Sequence, residues 1–305
     1  MVQFALLKPP ASLQYAAMTF PAYRHLLALA PARRHADDSV GRMIQPVAVG
    51  ACDSDEPVGL ALAETPLDTQ TDPELLSVYV SAPRRNEGIG ATLLASLESE
   101  LRERGFHRLS TVYMTGKPGI AVFEHLLQRA GWDPPAVRSI CIRFTREDVE
   151  RATWLNKHRV VRGYEIFPWN ELKEEERLAL RRSQEESSWI PADLQPWDHD
   201  RHGFEPITSL GMRGPDGVVG WVINHEISPT VLRYTCSYIR PDLARRGRIV
   251  ALYAASLRRL ALTNYQSCTF VAPARHERMA AFAKRWCGPW ASFLGETRGS
   301  SKVLR

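Results

Sequence analysis

Arg85, Gly88 and Gly90 are spaced as Arg-x-x-Gly-x-Gly between an apolar, β-branched run ending at Val80 and a segment, 91–101, whose apolar residues return at helical spacing. Glycines let a backbone approach a ligand that a side chain would hold off. The helix start that follows offers unpaired N–H groups and roughly half a positive charge. That combination suits a phosphate, and a pyrophosphate especially. Arg85 adds charge and planar donors for phosphate oxygens. The loop is not the Rossmann fingerprint, because no third glycine follows three residues later. It is not a Walker loop, because no Gly-Lys-Ser/Thr follows.

The elements that must position this loop are legible around it. Val78–Val80 closes a strand, Pro83 ends it, and 91–101 forms a helix. Leu109–Met114 then reads as a strand and Ile120–Arg129 as a helix ending in Ala130-Gly131-Trp132. The segment 136–144 reads as a closing strand. This order, with its glycine loop, resembles the GNAT (Gcn5-related N-acetyltransferase) superfamily over about residues 44–144. The resemblance implies an acetyl-CoA or longer acyl-CoA co-substrate held mostly by backbone N–H groups from Arg85 through Asn86, Glu87, Gly88, Ile89 and Gly90 to Ala91. It implies a pantetheine arm laid along Val78, Tyr79 and Val80, and Thr92 adding a hydroxyl.

The second half echoes the first. Gly88 and Gly247 are 159 residues apart, as are Val112 and Val271, and Phe123 and Phe282; Gly59 and Gly220 are separated by 161. Each pair sits in a similar local pattern, so the chain reads as two copies of one α/β module, each a mixed sheet flanked by helices. The copies are expected at 1–150 and 151–305, the junction falling in the polar stretch 145–159. The second loop is degenerate. Aligned on Pro241 it places Leu243, Arg246 and Arg248 at the motif positions; slid by one it regains Gly247 but no second glycine. The first copy is therefore expected to bind the cofactor. The second is expected to shape the acceptor site, to support the first, or to stay empty, unless Arg245, Arg246 and Arg248 hold phosphate by charge. The stretch 187–205, rich in Pro, Trp, Asp and His, reads as a long loop.

The resemblance further implies direct attack of an amine on a thioester. A base must take the ammonium proton, an N–H near Tyr79 or Val80 must hold the oxyanion, and an acid must reprotonate the thiolate. The family's acid, a tyrosine four residues before the glycine that ends the second helix, is absent: Leu127 stands there. His125 and Tyr113 are the candidate acids nearby, and Glu64, ending a hairpin strand, is the candidate base. Each has a plainer reading: a surface helix residue, a packing aromatic, a turn residue. In the second copy His225 and Glu226 are candidates for a cleft or for a solvated turn. Asp198-His199-Asp200-Arg201-His202 only mimics a metal site, so no metal is expected.

Composition narrows the class. In 305 residues, 44% are hydrophobic, ample for a core, and no apolar run is long enough to span a membrane. Five scattered cysteines without Cys-x-x-Cys read as free thiols of a cytoplasmic protein. A net charge of +5 is mild, and no nucleic-acid motif accompanies it. All tryptophans except Trp132 come after the first copy, where they read as core or as the lining of an apolar groove. The expected activity is an acyl-CoA-dependent N-acyltransferase acting on a small-molecule amine or a peptide, as a monomer or homodimer. Ser187-Ser188-Trp189, Thr208-Ser209-Leu210-Gly211 and Gly220-Trp221 resemble tandem acyltransferases encoded beside ribosomal-peptide natural-product genes. An O-acyltransferase and a non-catalytic acyl-CoA-sensing or peptide-docking module are the alternatives.

Overall fold

The computed structural model describes the chain except residues 9, 12, 29–32, 35–42, 68–70, 157–161, 202 and 245. Its strands, in chain order, are β1 (Gln3–Leu6), β2 (Arg33–Arg34), β3 (Met43–Asp53), β4 (Glu56–Pro66), β5 (Glu74–Val80), β6 (Arg108–Met114), β7 (Ala136–Thr145), β8 (Glu165–Pro168), β9 (Leu210–Gly214), β10 (Gly217–Ser228), β11 (Val231–Ile239), β12 (Ser267–Pro273) and β13 (Phe293–Val303). The α-helices are α1 (Leu13–Ala16), α2 (Arg24–Ala28), α3 (Ile89–Glu103), α4 (Ile120–Arg129), α5 (Arg146–Glu150), α6 (Glu174–Ser187), α7 (Pro196–Asp200), α8 (Pro241–Ala244), α9 (Arg248–Arg259) and α10 (Glu277–Phe282). The chain divides into two compact units, Met1–Arg138 with Glu296–Arg305, and Ser139–Gly295. The mixed α/β class read from the sequence is adopted by each unit.

In the first unit the strand order is β1-β3-β4-β5-β6-β13, with β2 on β3. Strands β3, β4 and β5 are antiparallel, while β5 and β6 run parallel. Strand alternation sends Ala61 and Ala63 to one face and Leu60 and Leu62 to the other. The first face is covered by α3, whose Ile89, Leu93, Leu94, Leu97 and Leu101 recur at helical spacing and are all buried. The second is covered by α2 through Leu26 and Leu27 and by α1 through Tyr15 and Ala16. Both long helices stop at a glycine in the left-handed region, Gly105 (φ 87°) and Gly131 (φ 77°). The next residues, Phe106 and Trp132, bond back to the carbonyls of Leu101 and Leu127. The Ala130-Gly131-Trp132 signal read from sequence is this helix stop.

The last strand of the first unit comes from the far end of the chain. Residues Thr297–Val303 of β13 pair antiparallel with Met114–Arg108 of β6. The strand read as closing the first copy does form, as β7, but Ser139–Thr145 pairs with β12 in the second unit. No local pattern in the sequence distinguishes these two edges.

The second unit orders its strands β7-β12-β11-β10-β9-β8. The internal repeat is visible in its register. Gly59 pairs with Val80 in the first unit, and Gly220 pairs with Ile239 in the second. A Cβ on either glycine would fall within 3.1 Å of a carbonyl oxygen on the neighbouring strand, Tyr79 or Tyr238. Trp169 and Trp221 are fully buried, Trp154 and Trp290 nearly so, and Trp286 is exposed. Within 187–205, Pro196 starts α7, a helix where a loop was expected.

Candidate functional site

Strands β5 and β6 meet only at their beginnings. Glu74 pairs with Ser110, the Ser110 N–H bonds the Pro73 carbonyl at 3.0 Å and the Thr111 hydroxyl bonds the Leu75 carbonyl at 2.9 Å. Beyond that point the parallel ladder stops. A bulge accompanies the divergence: Leu62 and Ala63 of β4 face Ser77 and Leu75, leaving Leu76 as the extra residue. The edge of Val78–Val80 that faces β6 is left open. Val78, Val80, Tyr113, Phe123 and Leu126 all pack against the core on the α3 side, while Tyr79 is exposed.

At the end of that edge the glycine loop presents its N–H groups. Asn86 (φ 68°) and Gly88 (φ 81°) are both left-handed, and Gly88 caps α3. The N–H groups of Arg85, Ala91 and Thr92 bond carbonyls of Ala82 and Gly88. Those of Asn86, Glu87, Gly88, Ile89 and Gly90 have no acceptor among the described residues. Five adjacent free donors at a helix start form a concave anion receptor. Ile89 contributes only its backbone, since its side chain is buried. The Thr92 hydroxyl points back to the Gly88 carbonyl.

The two arginines have separate tasks. Arg84 clasps the loop, bonding Glu87 at 3.0 Å and also Asp53. Arg84, together with the chain's N-terminal ammonium, holds the Asp53 carboxyl below its usual range. Arg85 is exposed, and its Nε bonds the Val80 carbonyl at 3.1 Å, which sets its guanidinium beside the open edge. A Cβ on Gly90 would lie 3.6 Å from Val80 and 3.9 Å from Leu126, directed at the space between them. The residues present therefore fit a coenzyme A thioester: free amides for the diphosphate, an open strand edge for the pantetheine amides, and a glycine where a side chain would intrude.

The candidate catalytic residues fall in different places. Leu127 is buried in the core of the first unit, so its helix position offers no acid. His125 lies exposed on α4. Tyr113 stands at the open end of β6, its ring edge-on to Phe123 at 5.2 Å and its hydroxyl donating to Glu124 at 2.9 Å. Burial and then that bond push its phenol well above the ordinary value. Glu64 is half-buried and paired across the strands with Glu74. Burial raises the Tyr23 phenol, and the charges of Glu74 and Glu64 raise it further. Glu74 thus sits on the last residue pair before β5 and β6 part, with Glu64 across from it on β4. Glu74 and Tyr23 escaped the sequence reading. Glu74 lies eleven residues ahead of Arg85 on the same strand as Val78–Val80, and that strand placement was the available signal.

The second unit repeats the divergence but closes it. Strands β11 and β12 pair from Val231 to Tyr234 and then separate. Tyr253 from α9 bonds Ser237 on the open edge. Phe144, Trp154, Phe270, Phe282 and Trp290 crowd the remaining space, leaving about 20 Å³, room for about one water. Gly247 caps α9 (φ 68°), which fixes the alignment: Gly88 matches Gly247 and Gly90 matches Ile249. The extra loop residue winds into α8, whose carbonyls accept from Arg246 and Gly247. Arg248 turns over the Tyr164 ring at 5.6 Å, and Arg245 lies outside the described residues. His225 is bonded to Thr235 at 2.9 Å and to the His199 carbonyl at 2.8 Å; Glu226 accepts from Tyr265 at 2.8 Å. His202, the end of the metal-like run, lies outside the described residues, and no metal-binding cluster occurs among the described ones. Nor is any described helix long and apolar enough to cross a membrane.

Residues 15–127 match the acetyltransferase (GNAT) family model. The matched segment lies within the first unit, and over it the chain is similar to the GNAT family. Its fold resembles, over 100% of this chain and 99% of the other, a tandem GNAT protein from the clavulanic acid biosynthesis pathway, at 14% identity and TM-score 0.57. It also resembles a glucosamine N-acetyltransferase region of a fungal multi-domain β-N-acetylglucosaminidase, covering 99% of this chain and 38% of that one (13%, TM-score 0.56). A GCN5-related N-acetyltransferase from Sphaerobacter thermophilus matches 85% of this chain and 81% of its own (15%, TM-score 0.50). No curated protein matches the sequence. At these identities the likeness is one of fold, and it extends the GNAT architecture to both units.

Proposed function

We propose that this protein transfers an acetyl or longer acyl group from coenzyme A to a primary amine, and that the first unit alone binds the donor. The observation that carries the reading is the row of five unacceptored N–H groups from Asn86 to Gly90 beside the open Val78–Val80 edge. The acyl thioester supplies the electrophile. The protein supplies position and protons. The loop amides and Arg85 fix the diphosphate, and the open edge of β5 aligns the pantetheine and presents main-chain groups to the thioester oxygen. Glu74, seated where the strands part, draws the proton from the acceptor ammonium, with Glu64 and Tyr23 beside it. Two carboxylates there attract a cationic amine and lower the cost of desolvating it. Tyr113, across the divergence from Val78, reprotonates the leaving sulfur in place of the family's missing tyrosine. The second unit, its own divergence filled by aromatic side chains, offers no second donor site, and the acceptor is a small amine or a peptide side chain.

Full-length protein titrated calorimetrically with coenzyme A should release binding heat, and Gly90→Val should abolish it. Mass spectrometry of primary amines incubated with acetyl-CoA and longer acyl-CoAs then identifies donor and acceptor. A silent titration with every coenzyme A species would end this reading. Tight binding without transfer to any amine or alcohol would instead favour a sensing module, the reading to which the loss of the helix tyrosine at Leu127 points.

A further inference from the structure

The most distant part of the sequence reaches the reaction centre of the first unit. In the β6/β13 ladder Arg298 is the direct cross-strand partner of Tyr113, so both side chains rise from the same face. On that face α4 supplies Phe123 and Glu124. One carboxylate oxygen, Oε1 of Glu124, accepts from the Tyr113 hydroxyl at 2.9 Å and from Arg298 Nη1 at 3.0 Å. Arg298 is steadied by its Nε on Glu296 at 2.9 Å. The phenol is thus held at its ring by Phe123 and at its oxygen by a carboxylate that is itself held by a guanidinium.

We propose that Arg298 is a positioning residue for acyl transfer: it acts through Glu124 to aim and electrically balance Tyr113 as the proton donor to the departing sulfur. The inference rests on the assignment of Tyr113 as the acid. In the step itself the Tyr113 O–H bond breaks and an S–H bond forms, and the phenolate is reprotonated from water. During that step a negative phenolate oxygen lies beside the Glu124 carboxylate. Two adjacent anions are costly in a half-buried site, and Arg298 is the cation in contact with Glu124 that offsets them. Burial is the largest cause that makes Tyr113 harder to ionise, the Glu124 carboxylate adds to it, and the charge of Arg298 acts in the opposite direction. A merely structural role explains the arrangement poorly. Arg298 and Glu124 are 37% and 25% exposed, and ion pairs so open to solvent add little to stability.

The test compares wild type, Arg298→Gln, Tyr113→Phe, their double variant and Arg298→Lys, all in the full chain. Arg298→Gln should lower kcat about tenfold or more while the KM for acyl-CoA changes less than about twofold, and Arg298→Lys should recover part of the rate. In the Tyr113→Phe background Arg298→Gln should have no further effect. With an aryl thioester of the same acyl group, whose more acidic thiol leaves without a proton, both single variants should match wild type. Equal loss from Arg298→Gln in both backgrounds, or an equal deficit with the aryl donor, would overturn the proposal while leaving the acyltransferase reading intact. Full activity of Tyr113→Phe would remove the acid assignment and this proposal together. Failure of the wild type to transfer at all would remove the functional reading beneath both.

Discussion

Gly90 and Ile249 occupy the same position in the two units, the second residue of the helix that each glycine cap begins. The caps themselves are alike, Gly88 at φ 81° and Gly247 at φ 68°. The units differ in the side chain two residues beyond the cap and in the number of N–H groups that remain open. At the first loop five donors are available; around Gly247, among the described residues, only those of Arg248 and Ile249 are, because Arg246 and Gly247 bond into α8.

Gly90→Ala should therefore separate stability from binding. Its Cβ meets Val80 and Leu126 only at ordinary contact distance, and its backbone needs no positive φ. Replacing a helical glycine should stabilise the fold by about 0.5–1 kcal/mol. The same methyl enters the space between Val80 and Leu126 and should weaken coenzyme A binding. Thermal melts and calorimetry on one variant should move in opposite directions. The reverse change, Ile249→Gly, should create no binding, since the second loop lacks the row of donors.

The loop, its helix and the repeat were legible in the sequence because each depends on local geometry. Gly88, Gly131 and Gly59 are needed where backbone turns left-handed or strands come close, and such needs leave a residue-type mark. The destination of the final strand left no mark. Residues 136–145 and 293–303 are both extended segments that suit either edge, and the choice between β6 and β12 is made by long-range pairing. Tyr113 and His125 stood equal in the sequence; only the register with Arg298 and the bond to Glu124 set Tyr113 apart. Glu74 was passed over because nothing in its neighbourhood reports that two strands diverge beside it.

If Glu74 is the base, Glu74→Gln should lower kcat by about 10²-fold or more and leave the heat of coenzyme A binding unchanged. Glu64→Gln should cost less, because Glu64 lies one strand further from the divergence. Steady-state kinetics on both variants ranks them. A larger loss from Glu64→Gln would transfer the base role to it.

The second unit should weaken in acid through His225. Burial, the largest influence, holds this imidazole below its usual value. Folding then disfavours its protonated form, so the unfolded chain binds more protons in the window between the two values. The stability that its neutral form provides is fully present above about pH 6.5 and is lost as pH falls through the folded value. Protonation would also turn Nδ1, the nitrogen that meets Thr235, from acceptor into donor, while Nε2 goes on donating to the His199 carbonyl. Melting temperature followed downward from pH 7.5 should fall below about pH 6.5. His225→Gln should flatten that fall; an unchanged slope would assign it to other groups.

Removing residues 296–305 should abolish coenzyme A binding, although every residue of the loop lies far upstream. Those ten residues supply the strand that pairs with β6 from Arg108 to Met114. They also place Leu304 in the core of the first unit, Lys302 on Glu98, and the Ser300 and Ser301 hydroxyls on Asp133. Glu98 in turn accepts from Trp132 at 2.8 Å, so the loss spreads to the stop of α4 and to the helix that carries the glycine loop. The uncovered edge of β6 would also invite association between chains. A synthetic peptide of residues 293–305 added to the truncated protein should restore binding by adding the missing strand, with saturation at about one peptide per chain. Titration of coenzyme A before and after the peptide reads the effect directly. Binding by the truncated chain equal to that of the full one would mean that β6 and the loop stand without β13. Arg298→Gln, which keeps the strand and alters one side chain, should bind normally and so separate the strand's structural contribution from the proton relay it carries.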